Sequence, residues 1–388
     1  MKFPNFSAIG LSALLVLSIS PLAPPLAQAA MAALPGMPAV LDPTNIYSED
    51  GANKLSPVVK NFVARIYVPN TNSNTVSVID PKSMKVIGVH KVAREPQHVV
   101  PSWDLKTLWV NSDIGNTLTP INPATGKFGK SIYVNDPYNL YFTPNGKYAV
   151  VMSEAAKKIV FRDPHTMAIR KQISSQCDGV NHADWSADGT TFVVSCEFSG
   201  DLLLVDTAKM KVLKKQALPN INKSGSSKSH NGIANMGPMP QDVKLSPDGK
   251  TYYVADMMSD GVWVMPAPWG KLSFIKTGLG AHGLYVNRDS KTMLISNRNE
   301  GSISVLRFSD NALIAKWKIP GGGSPDMGGI SADGKIFWIS GRYNSVVYAI
   351  STVNGSLIKK IKVGSGPHGL AVYPQPGRYS LGHTGVFR

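Results

Sequence analysis

Histidine is scarce in this chain, 8 in 388 residues, yet four of the eight stand at one place in a repeating pattern. His98, His182, His282 and His368 each open a short apolar stretch, and His230 lies in a loop-like stretch before another such opening. A neutral imidazole is a transition-metal ligand and a general acid or base near neutral pH. Charged partners recur at a second repeated position: Asp113, Glu154, Glu197, Asp256, Arg298 and Arg342. Asp242 and Asp326 sit at or beside opening positions themselves. A fold that gathers these positions makes a polar funnel of His98, His182, His230, Asp242, Asp256, His282, Arg298, Asp326, Arg342 and His368. His230, His282 and His368 are its candidate metal ligands; the alternative is a water-filled channel mouth lined with polar groups. His98 and His182 stand one residue closer to the following turn than His282 and His368 do, so the four need not reach a single ion.

The elements that must position these residues are strands. Seven times the chain runs through a short strand, an Asp- or Gly-rich turn, an alternating apolar strand, a polar turn, another alternating strand and a lysine-rich strand. Ser186-Ala187-Asp188-Gly189, Ser246-Pro247-Asp248-Gly249 and Ser331-Ala332-Asp333-Gly334 show the first turn most clearly. No long helical period appears after the N-terminal apolar stretch. A period of about forty residues with four strands per unit is the signature of a β-propeller, in which sheets pack radially around a channel. The expected fold is therefore all-β, a seven-bladed propeller of four-stranded antiparallel blades over residues 62–374. Strands from residue 64 onward lack an innermost partner, and residues 367–373 supply one, so N- and C-terminal segments close the ring in one blade.

Other features bound the remaining questions. Lys2, an apolar run and Ala27-Gln28-Ala29 read as a cleavable signal peptide over residues 1–29, giving a periplasmic or secreted protein with no transmembrane segment once mature. An N-terminal extension spans residues 30–61, a loop insertion 220–240 and a tail 375–388. The insertion brings His230, Met236 and Met239 toward the funnel, which suggests copper; the alternative is a surface insertion whose methionines pack on the rim. Cys177 and Cys196, the only cysteines, flank one hairpin and read as a disulfide in an oxidising compartment, the alternative being a thiol site with His182. The net charge of +15 resides largely in the outermost strands, where lysine blocks edge-to-edge pairing, so it is read as edge protection rather than a nucleic-acid surface. A monomer is expected. Gly278–Gly283 and Gly364–Gly369 match the spacing of a dinucleotide loop but enter strands, and no Cys-x-x-Cys-His stands in the chain for covalent c-type haem.

Tyr67-Val68-Pro69-Asn70, Asn74-Thr75-Val76-Ser77-Val78-Ile79-Asp80, Ser246-Pro247-Asp248-Gly249-Lys250 and Pro367-His368-Gly369-Leu370 resemble the YVTN β-propeller repeat. Propellers similar to this one include the tetrapyrrole-binding domain of periplasmic nitrite reductases, surface-layer proteins, lactonases and antibiotic lyases. The resemblance implies the frame and leaves the chemistry open, because one frame carries unrelated functions. Three readings follow. The first is an exported binding protein holding a transition metal, a noncovalent tetrapyrrole, a small ligand or a partner-protein segment. The second is an enzyme, a lyase, lactonase or noncovalent-cofactor redox protein, using funnel His, Arg and Asp. The third is a cell-envelope scaffold.

Overall fold

Alternating apolar strands joined by tight turns satisfy their backbone groups most directly by pairing with their sequence neighbours. In the computed structural model of the chain, each repeat pairs in that way within its own sheet. Residues 1–4, 33–221, 237–383 and 385–388 are described. Residues 1–32 and 33–388 are separate units, and all that follows belongs to the second. The expected signal peptide lies outside the described residues beyond its first four, as do His230, Met236 and most of the 220–240 insertion.

The propeller has seven sheets. Six contain four antiparallel strands; in the seventh the outermost strand is split into Lys127–Phe128 and Ile132–Tyr133. The split faces Pro120 on the neighbouring strand, which has no N–H to give, and Gly129 takes its carbonyl instead at 2.7 Å. Ring closure occurs as expected: Ala371–Tyr373 pairs with Arg65–Asn70 through Arg65↔Tyr373, Ile66↔Val372 and Tyr67↔Ala371.

Apolar faces of neighbouring sheets make the core. Tyr141, Val150 and Phe161 of one blade pack against Trp185, Phe192 and Val194 of the next. Innermost strands such as Val180–Trp185, Pro240–Leu245 and Pro325–Ile330 are buried along their whole length. Outermost strands such as Lys85–Lys91 and Ile169–Ser174 are largely exposed, with their lysines on the open edge. Cys177 and Cys196 form the expected disulfide, with Cα atoms 6.1 Å apart. Among the described residues the only helix is the 3₁₀ turn Ser48–Asp50, and none is long and apolar enough to cross a membrane.

Two features position the site. The first is a register shift between the first and second strands, at Val180/Ala183, Pro240/Val243, Ala281/Leu284 and Pro325/Gly328. Each shift lets two successive residues face the channel instead of one. The second is the C-terminal tail, which folds as a hairpin (Leu381 N to Val386 O, 2.9 Å; Tyr379 and Arg388 paired) and climbs the channel from the face opposite the mouth. Its ascending arm pairs with the innermost strand Asn139–Phe142: Phe142 N donates to Leu381 O at 2.9 Å and His383 N to Leu140 O at 3.0 Å. The N-terminal extension crosses that same opposite face, with Leu34 N, Ile46 N and Asn53 N donating to Asp188 O, Pro247 O and Ala332 O.

Candidate functional site

The register shift divides the channel residues into two tiers. Gln97, Tyr138, Asn181, Gln241, His282, Asp326 and His368 form an outer tier; His98, Asn139, His182 and Asp242 stand one residue deeper. The one-residue offset read from the turns is thus real.

Asp326 organises one side of the outer tier. Its carboxylate is fully buried and accepts from Arg298 Nε at 2.8 Å and Nη2 at 2.6 Å, with His368 Nδ1 2.6 Å from Oδ2 and His282 Nδ1 3.3 Å from Oδ1. Burial alone would raise this acid, but Arg298 and the two imidazoles hold it well below the ordinary carboxylate range. Arg298 also donates to His282 Nε2 and, from Nη1, to Met257 Sδ at 3.5 Å. His282 thus meets Arg298 through Nε2, while its Nδ1 faces Asp326 without a hydrogen bond. Arg342 lies at the rim, 4.0 Å from Asp326, and donates to Thr71 Oγ1 at 2.9 Å. Its side chain keeps 22% of its surface exposed, whereas that of Arg298 keeps 9%.

Acids populate the other side. Glu154 is pushed up to about 9, first by burial and then by Glu197 and Asp113; Asp113 is pushed up to about 8 by burial and its contact with Asp136. Burial raises Glu197 as well. The native state thus keeps a proton on Glu154 that the unfolded chain releases above its ordinary 4.5, and stability falls from there until the native group has also ionised. Glu154→Gln is accordingly expected to raise the melting temperature by ~1–3 °C at a pH of about 9.5 and to leave it unchanged at about 5, read by scanning calorimetry. An equal gain at both pH values would show that charge is not the cause.

The inner tier holds a histidine that sequence reasoning missed. His383, at the tip of the C-terminal hairpin, meets His98 and His182; all three rings are buried, and one nitrogen from each lies within 4.8 Å of the others. Ring centroids are 5.7 Å apart for His98–His182, 5.2 Å for His98–His383 and 4.6 Å for His182–His383. Burial is the first cause holding all three well below the usual imidazole range, so they are neutral and carry lone pairs at physiological pH. A tetrapyrrole macrocycle finds no space between rings packed this closely. Asp242 adds a carboxylate, with Oδ1 3.5 Å from His383 Nε2 and Oδ2 accepting from Leu284 N at 2.9 Å. Asn139 brings its amide nitrogen 3.1 Å from Nδ1 of both His182 and His383.

The expected funnel residues are placed as follows. His98 and His182 join in the inner tier beside Asp242; His282, Asp326 and His368 join in the outer tier with Arg298 and, at the rim, Arg342. The tiers touch through His98 and His368, whose centroids are 4.9 Å apart. Asp256 stands apart: its oxygens accept from Met239 N, Met258 N, Ser259 N, Ser259 Oγ and Trp263 Nε1, which makes it the organiser of a turn. Met239 and Met258 are buried.

Similarity to known proteins agrees with this architecture. Hydrazine synthase from Kuenenia stuttgartiensis aligns over 77% of this chain and 97% of its own at 17% identity, with a TM-score of 0.61. A functionally unknown protein from Desulfotomaculum acetoxidans aligns over 78% and 98% at 12% identity, with a TM-score of 0.63. At such identities the likeness is one of fold alone. No curated protein sequence matches the chain. A family model matches residues 29–377, the N-terminal extension and the whole of the propeller, and on that match the chain belongs to the YNCE-like β-propeller family.

Proposed function

We propose that this is an exported binding protein that holds a small polar ligand in the channel mouth, between the arginine side and the acid side of the outer tier. The observation that carries the reading is a set of buried oxygens around the mouth that accept no hydrogen bond: Gln97 Oε1, Gln241 Oε1, Glu154 Oε1 and Asp113 Oδ1. Buried acceptors without partners are costly, and a ligand that donates to them removes the cost. Arg342, anchored on Thr71 and part-exposed, supplies the complementary charge. Glu154 and Asp113 keep their protons at neutral pH, so the acid side does not repel an anion as two carboxylates would. The ligand chemistry that fits is a small molecule with an anionic group for Arg342 and hydroxyl or amine donors for the facing oxygens.

Native mass spectrometry of the protein purified after export tests this. The native mass is expected to exceed the chain mass by one small molecule, which Arg342→Ala loses. Citrate and inorganic phosphate serve as probes: each is expected to raise the melting temperature of wild type and not of Arg342→Ala. Identical native and chain masses, together with no response to either probe, would overturn the reading.

A further inference from the structure

One tier below the mouth the channel closes on a group that the mouth ligand does not explain. His98, His182, His383 and Asp242 come from three innermost strands and the C-terminal hairpin, and all four are fully buried. His98 Nε2, His182 Nε2 and Asp242 Oδ1 are buried polar atoms with no hydrogen-bond partner. Three such atoms in one small volume are unfavourable for the protein as it stands. Neutral imidazoles beside one carboxylate are the donor set of a first-row transition ion.

We propose that His98, His182, His383 and Asp242 together hold one divalent transition-metal ion, of which zinc is the simplest case. Donor atoms around a tetrahedral zinc ion with Zn–N of ~2.0–2.1 Å lie ~3.4 Å apart. One nitrogen from each of the three rings lies within 4.8 Å of the others, and Asp242 Oδ1 lies 3.5 Å from His383 Nε2, so closing the set around an ion draws the four side chains inward.

The surrounding groups set the ring protons. His98 Nδ1 faces Tyr138 O at 3.0 Å, so an Nδ1–H donates there and leaves Nε2 as the donor to the ion. His182 and His383 both direct Nδ1 at the Asn139 carboxamide, 3.1 Å away. With the carboxamide oxygen turned to that side it accepts both Nδ1–H groups, which places the lone pair of each ring on Nε2. The Leu140 N–H that the oxygen leaves has a second acceptor: Asn111, with its carboxamide oxygen facing Leu140 N, accepts at 3.1 Å while donating to Trp109 O at 3.3 Å. With the one proton of the neutral His383 ring on Nδ1, Nε2 presents its lone pair 3.5 Å from Asp242 Oδ1, and the ion sits between the two without displacing a proton. Because His383 rides on the hairpin, the ion also fastens the tail inside the channel.

The test uses the full chain, expressed with zinc or cobalt(II) in the medium and analysed for metal after gel filtration. One ion per chain is expected in wild type and equally in Arg342→Ala, which separates this site from the mouth ligand. His383→Ala and Asp242→Asn are each expected to bind the ion at least ~10-fold more weakly. Asp242→Asn retains an oxygen for Leu284 N, so it distinguishes lost coordination from lost fold. The cobalt(II) form of wild type is expected to show the intense visible bands of a tetrahedral site, absent from His383→Ala. Folded wild type carrying less than a tenth of an ion per chain, or His383→Ala carrying as much as wild type, would refute the site.

Discussion

Arg388→Met is expected to cost about 3–5 kcal/mol of stability, measured by urea unfolding, because it strands a buried carboxylate. Arg388 Nη2 meets Asp184 Oδ1 at 2.9 Å, with side-chain exposures of 7% and 0%, and the guanidinium lies 4.5 Å over the Tyr47 ring. Asp184 also accepts from Trp185 N and Leu245 N at 2.8 Å each, so one carboxylate joins the tail to two adjacent blades. The double variant Arg388→Met with Asp184→Asn is expected to recover much of the loss, since the unpaired charge is then gone. Deleting residues 379–388 goes further. It removes the buried side chains Tyr379, Leu381, Val386 and Phe387 as well, each worth roughly 1.5–3 kcal/mol. A loss of that size approaches the whole stability of an ordinary domain, so little folded protein is expected from the truncation. A truncated chain with an unchanged melting curve would show that the hairpin is an ornament.

Asp326→Asn is expected to have an effect of similar size for the opposite reason: it leaves a buried cation without its anion. Arg298 donates twice to Asp326 and is otherwise satisfied only by His282 and the Met257 sulfur. Breaking such a pair from one side costs about 3–5 kcal/mol, whereas replacing both members with neutral groups costs less. The loss is expected to shrink in the double variant with Arg298→Met, and the cycle measures the coupling directly. A single-variant loss below ~1 kcal/mol would place Asp326 among weakly coupled surface pairs.

The seven repeats were legible because turn chemistry and strand alternation recur at a fixed interval, and the closing strand because one blade lacked its innermost member. The disulfide followed from two cysteines flanking one hairpin. The two tiers were half visible: counting from the turns separated His98 and His182 from His282 and His368, but the register shift that creates the tiers is a backbone property with no residue signature. Asp256 was grouped with the funnel by position alone; its engagement by Ser259 and Trp263 depends on how the turn folds back. The tail resisted reading because it has no repeat to align with, and its fate is decided by a channel built from distant segments. A local signal existed: Gly382-His383-Thr384-Gly385 between Tyr379–Leu381 and Val386–Arg388 has the composition of a hairpin tip.

Closing one blade with strands from both ends of the chain has a consequence for biogenesis. The blade begun at Arg65 is completed only when Ala371–Tyr373 arrives. Pairing across so large a sequence separation slows folding and keeps an unpaired strand open in the meantime. The sheet that opens the ring is therefore the last to be finished, and its inner edge stays bare until Ala371–Tyr373 has been made.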